Sequence, residues 1–364
     1  MEKALYRSYG YFWDGNRFVK KLKIANNDVY YWMILKKLGE SKRFLQSLET
    51  LQLYVRRLPV RSMMRSSLIE LLKNKEVLEC VTHLKFEEYC EALMLFWQLM
   101  ESLINSCHRL SFLSLPVNLT AAQFESGVEF NFSLNLCRLE NLQALELKVN
   151  SLATFISGVE LPQSLRKITF QAEKYTSIYD LPHIFGCVDG SSPLSLDRYK
   201  VQQMFFDKWK KLHNLKILKL ILPIFIKLDN IFKSLVIPLL KAIPQLETFV
   251  YKWSRYEIND YSPFDLNLLL EGVEPLRSLK KLKISPYSYV SATSLPVVYN
   301  PNKVYFLPHI TSLKIDTAVS TDFDFKKFIN TLFYNVKLKV PEMNKIIKLS
   351  SLRISCVKRF IKTL

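Results

Sequence analysis

Glycine is scarce in this chain, with eight among 364 residues. Phosphate-cradling loops need clustered glycines so that backbone N–H groups can approach the anion, and neither GxGxxG nor GxxxxGK[ST] occurs. GxSxG and HExxH are also missing, and the histidines His83, His108, His183, His213 and His309 stand singly. These absences predict a non-enzymatic protein with no catalytic residue, no cofactor and no metal site. Cysteine is equally sparse. Cys80, Cys90, Cys107, Cys137, Cys187 and Cys356 form no CxxC and no metal-ligand spacing, so they read as reduced, mostly buried thiols. Long apolar runs are missing too: the most apolar stretch, Leu215 to Leu228, is interrupted by Lys216, Lys219 and Lys227. Met1 to Arg7 holds no signal-like apolar run. The expectation is a cytoplasmic or nuclear protein that neither crosses nor binds a membrane.

Leucine and isoleucine, by contrast, are abundant and regularly placed. The pattern L-x-x-L-x-L recurs at Leu110-x-x-Leu113-x-Leu115, Leu142-x-x-Leu145-x-Leu147, Leu215-x-x-Leu218-x-Leu220, Leu279-x-x-Leu282-x-Ile284 and Ile310-x-x-Leu313-x-Ile315. Weaker copies centre on Leu22, Leu51, Leu84, Ile168, Phe249 and Leu352, and the poorest is Val336-x-Leu338-x-Val340. Successive centres are separated by 29, 33, 29, 32, 23, 50, 31, 33, 31, 25 and 14 residues. Seven of these eleven steps lie between 29 and 33, a regularity that leucine richness alone does not produce. Asn27, Asn118 and Asn150 stand three residues after a last strand apolar residue, where a side chain can bond the turn leaving the strand.

On these residues the chain resembles the irregular leucine-rich repeat proteins, from about Phe18 to Ile354. The resemblance implies an α/β solenoid of about 11–12 repeats: a curved horseshoe with a parallel concave sheet and convex helices. The expected organisation is an N-terminal cap or remnant over 1–17, the solenoid over 18–354 and a basic tail over 355–364. The 50-residue step holds an expected insertion over 171–198, rich in Gly, Ser and Asp. Helical periodicity is expected over Tyr89 to Cys107, Asn230 to Ala242 and Asp265 to Glu271. The apolar stripe of the first, including Leu93, Phe96, Trp97, Met100, Leu103 and Ile104, is expected to pack on the protein's own strand layer.

The net charge of +18 is concentrated at the ends: residues 1–75 carry +10, residues 325–364 carry +9 and the remainder −1. Strand alternation assigns part of it to one face. With the motif's apolar residues inward, the residues between and beside them point outward with period two. The candidate partner-binding residues are therefore Lys21, Lys23, Tyr54, Lys219, Lys281, Lys283, Lys314, Lys337, Lys339 and Arg353. Central copies offer Thr50, Gln52, Glu146, Lys148, Thr169 and Val250 instead. Such a face fits an acidic protein partner or nucleic-acid phosphate, or it is a solvated lysine-rich sheet that keeps a monomer soluble. No zinc module, RRM-type aromatic motif or helix-turn-helix signature accompanies it.

Ala4-Leu5-Tyr6-Arg7-Ser8-Tyr9, followed by Arg17 to Ile24, is similar to the segment after the F-box in fungal F-box and leucine-rich repeat proteins. That resemblance implies a ubiquitin-ligase substrate receptor whose partners include Skp and cullin subunits. Only 17 residues precede the first strand motif, too few for the F-box helices. The expectation is a substrate-receptor-like scaffold without a recognisable F-box. The alternative is a nucleic-acid- or chromatin-associated scaffold acting through its basic ends.

Overall fold

Each L-x-x-L-x-L copy with strand-forming residues becomes a parallel β-strand. The computed structural model describes residues 21–25, 48–54, 69, 71–73, 75–87, 97–117, 134–149, 159–172, 196–224, 232–255, 264–286, 297–298, 309–315 and 351–354. The chain divides into two compact units, Met1–Phe130 with Leu136–Leu145, and Asn131–Asn135 with Glu146–Leu364. In the first unit, β1 (Lys21–Ala25), β2 (Thr50–Tyr54), β3 (His83–Glu87) and β4 (Phe112–Val117) lie in sequence order. Their registers align Leu22, Leu51, Leu84 and Leu113 in one row.

In the second unit the strands that carry the motif are β8 (Lys167–Ala172), β9 (Ile217–Ile224), β10 (Thr248–Arg255), β12 (Lys281–Pro286), β14 (Ser312–Ile315) and β15 (Ser351–Ile354). Ile168, Leu218, Phe249, Leu282, Leu313 and Leu352 align across them. The remaining motif strand, β6 (Ala144–Val149), alternates half-buried and buried residues along its length, the period-two pattern of a strand with one packed face. Two-residue pairs, β5 (Leu134–Asn135) with β7 (Val159–Glu160) and β11 (Phe264–Asp265) with β13 (Val297–Val298), complete the strands among the described residues.

The repeat extends further upstream than six residues. Two more buried apolar positions precede the motif at three-residue steps, as in Trp209-x-x-Leu212-x-x-Leu215-x-x-Leu218 and Leu240-x-x-Ile243-x-x-Leu246-x-x-Phe249. Every such step is closed by a backbone bond of one kind: Leu110, Leu142, Leu215, Leu246 and Leu279 donate to Cys107, Leu139, Leu212, Ile243 and Leu276 at 2.9–3.2 Å. The chain thus turns tightly into each strand while burying one side chain per turn. Each leucine so buried contributes about 1.5–3 kcal/mol. Cys107 occupies this position in its repeat, and burial pushes its thiol up to about 12. It is a packing residue. Cys80 is half-buried and Cys137 exposed, so of the described thiols one of three is buried and the expectation of mostly buried cysteines does not hold for them.

A second ladder runs between repeats. The carbonyl of the residue just before a strand accepts two N–H groups from the next repeat: Glu49 from Thr82 and His83, Lys216 from Glu247 and Thr248, Lys280 from Thr311 and Ser312, all at 2.8–3.0 Å. Side-chain amides reinforce it. Asn141 Nδ2 donates to His108 O (3.2 Å), Asn214 Nδ2 to Gln163 O (3.0 Å), and Gln245 Nε2, one methylene longer, to Leu212 O (2.6 Å). Asn27, Asn118 and Asn150 lie outside the described residues.

Between strands the chain is helical where the repeat is long. The helix Trp97–Ser106 falls within the expected segment and buries Met100, Leu103 and Ile104, whereas Leu93 and Phe96 lie outside the described residues. Pro238 has no N–H to continue an α-helical ladder back to Ser234. The segment before it, Phe232–Val236, is accordingly a π-helical turn that leads into the helix Ile237–Ala242. Phe232 meets Tyr251 edge to face at 4.9 Å. The helix Leu266–Val273 starts at the expected Asp265, whose carboxylate accepts from Asn267 N at 2.9 Å. In the 23-residue step the described residues include the short strand β7, and residues 150–158 lie outside them.

Two expectations are corrected. A helix, Leu196–Lys210, begins inside the proposed insertion, so Asp197 and Arg198 belong to that helix; residues 173–195 lie outside the described residues. Lys208 of this helix donates to the Val159 carbonyl of β7. At the other end β14 bonds directly to β15, leaving no strand between them. The copy at Val336-x-Leu338-x-Val340 is therefore no rung between these two strands, and it lies outside the described residues with Lys337 and Lys339. No helix among the described residues is long and apolar enough to cross a membrane.

Candidate partner-binding face

The strand position between the two buried motif residues faces away from the core, and in the second unit it carries most of the candidate cations. Read across the strands it runs Thr169, Lys219, Val250, Lys283, Lys314, Arg353, each paired in register with the next. Adjacent strands are about 4.8 Å apart, so β12, β14 and β15 place three cationic residues in consecutive rungs. Lys281 shares β12 with Lys283, two residues away and on the same face, opposite Thr248 and Ser312. Lys281 is exposed, whereas Lys219, Lys283 and Lys314 are half-buried because neighbouring strands flank their stems.

Like charges in adjacent rungs repel, by about 1 kcal/mol for a pair at ~4 Å in water-like surroundings. Lys219 registers its environment directly. Its ammonium is held below the ordinary lysine value first by desolvation and then by the charges of Lys167 and Lys283, while Glu146 opposes the shift. An acidic group arriving at this row relieves the repulsion, which favours anionic partners over neutral ones.

Lys21, Lys23 and Tyr54 belong to the first unit and are not part of this row. Lys21 is exposed and lies in register with Thr50, Lys23 with Gln52, and Tyr54 with Ala25 and Glu87. The first unit's between-leucine row reads Lys23, Gln52, Lys85, Ser114, with Gln52 8% and Ser114 1% exposed and Lys85 half-buried. Beside it, His83 stacks on Phe112 at 5.7 Å.

Three outward cations escaped the sequence reading. Lys85 and Lys252 occupy outward positions of β3 and β10, and Lys167 holds on β8 the position that Lys281 holds on β12. The same period-two rule identifies all three. The five histidines form no cluster, and no group of His, Cys, Asp and Glu suited to a metal ion occurs among the described residues. His309 is held below the ordinary histidine value by desolvation and by Arg277, with a backbone bond to Val273 and the Glu274 charge acting the other way.

No family model and no curated protein sequence matches the chain. Among solved structures, the crystal structure of a TLR13-ssRNA13 complex is similar over 79% of this chain and 38% of that chain, at 15% identity and a TM-score of 0.33. The chain spans 38% of that protein's length, and a likeness at this TM-score carries no argument about fold or function.

Proposed function

We propose that this protein is a non-enzymatic scaffold of the leucine-rich repeat kind that binds an acidic protein through the outward strand face of its second unit. The single observation carrying this reading is the alignment of Lys283, Lys314 and Arg353 in consecutive rungs, with Lys281 beside them. The inward leucines form the sheet without these side chains, and a cation repeated at one register position supports a recognition role. A substrate-receptor role with Skp and cullin partners is the specific version of this reading. The alternative, a nucleic-acid- or chromatin-associated scaffold, draws on the basic ends, residues 1–75 and 325–364, and on no base-reading motif.

The test is capture from lysate by tagged wild-type protein and by the Lys281→Glu, Lys283→Glu, Lys314→Glu variant, at low and high salt, with nuclease controls. Nuclease-resistant acidic proteins held by the wild type and lost in the variant, with thermal stability nearly equal, support the reading. Recovery of Skp and cullin would specify the ligase version. Nuclease-sensitive capture with a steep log-log salt slope would favour the nucleic-acid scaffold. Capture unaltered by the variant rejects the face altogether.

A further inference from the structure

Resting on the binding reading above, we infer that the segment seated on this face is an acidic amphipathic α-helix lying across the strands. The cations are distributed across strands: Lys219, Lys283, Lys314 and Arg353 hold one register position on β9, β12, β14 and β15, and only β12 adds a second, Lys281. An elongated anionic partner therefore crosses the strands instead of running along them.

Spacing selects its conformation. From β9 to β15 the row spans four steps of about 4.8 Å, or ~19 Å. A helix repeats one face every ~5.4 Å, so four turns cover ~22 Å and the accumulated misfit of ~2–3 Å lies within reach of a lysine side chain. An extended chain shows same-face residues every ~6.6 Å; four steps cover ~26 Å, more than a full strand out of step by the end.

The row also contains an apolar rung. Val250 is half-buried between Lys219 and Lys283, and Ile217, also half-buried, holds the preceding outward position of β9. The sequence of rungs is cation, apolar, cation, cation, cation. A complementary helix carries acidic, apolar, acidic, acidic and acidic residues at roughly i, i+4, i+7, i+11 and i+14. Its partly negative C-terminal end is favoured over the three consecutive cations, which directs that end toward β15.

The test titrates the full chain by fluorescence anisotropy with three probes and, as a control, the first of them with glutamine at its apolar position. The first is a peptide of about four helical turns carrying this pattern. The second has the same composition with a central proline, and the third is a single-stranded oligonucleotide of equal charge. The intact helix is expected to bind about tenfold or more tighter than the proline-broken peptide. Lys283→Glu with Lys314→Glu should abolish its binding while circular dichroism stays unchanged. Val250→Thr should weaken the intact helix but leave unaffected a peptide with glutamine at the apolar position. Equal binding of intact and broken peptides, both lost in the charge-reversed variant, overturns the helix and leaves the acidic-partner face standing. Preference for the oligonucleotide, or no binding of either peptide, also overturns it. Binding indifferent to charge reversal overturns both the helix and the face.

Discussion

The two units share one backbone device and differ in what they display on it. In each, one row of apolar motif residues keeps register from strand to strand: Leu22, Leu51, Leu84 and Leu113 in the first, Ile168 through Leu352 in the second. The outward row beside it reads Lys23, Gln52, Lys85, Ser114 in the first unit and Thr169, Lys219, Val250, Lys283, Lys314, Arg353 in the second. The same kind of register therefore carries two cations in four rungs in one case and four in six in the other. Inward positions are constrained by packing, and outward ones are left to function.

The sharpest way to break this comparison is to charge an inward position in each unit. Leu145→Asp and Leu282→Asp place a carboxylate where the leucines are 0% and 2% exposed, and each should unfold its own neighbourhood, with loss of at least ~4 kcal/mol of stability. Urea denaturation reads the effect, and a soluble, unaltered protein would contradict the register.

A smaller effect is expected at Gly272, specific to the second unit. A Cβ there would lie 2.6 Å from Ile237 Cγ1 on the neighbouring helix, so Gly272→Ala should cost about 1–3 kcal/mol by overpacking. A smaller cost of Gly272→Ala in an Ile237→Ala background, which removes Cγ1, would assign the loss to that contact. No loss at all would mean the two helices separate freely.

The smallest effect concerns the amide ladder. Asn214→Ala removes the bond to Gln163 O and should lower stability by about 0.5–1.5 kcal/mol, with Asn141→Ala comparable in the first unit. Equal losses would make the ladder a common device of both units. A loss confined to one would show that neighbouring contacts replace it in the other.

Much of this architecture was legible from residue spacing. The strand centres at 22, 51, 84, 113, 145, 168, 218, 249, 282, 313 and 352 all fall on β-strands because a buried row and a period-two alternation leave their mark directly on the sequence. Helix identity was legible at Asp265, where a carboxylate precedes an apolar periodic run. The upstream apolar steps at Leu212 and Ile243 were overlooked because each lies in a turn, where no strand or helix period applies. The amide ladder left no comparable mark: Asn141, Asn214 and Gln245 precede the motif, and nothing local distinguishes them from surface polar residues until the carbonyl of the previous repeat is brought alongside.

The candidate face divides in the same manner. Sequence alone determined which residues point outward, since alternation is a local property of an extended chain. It could not determine which outward residues become neighbours, because that depends on pairings between strands about 30 or more residues apart. Only the tertiary structure decided that β14 bonds directly to β15, joining Lys314 to Arg353, and that Val250 interrupts the row beside Lys219. The physical reason is that burial selects side chains one at a time, whereas a row of charges exists only after the ladder hydrogen bonds have set strands side by side.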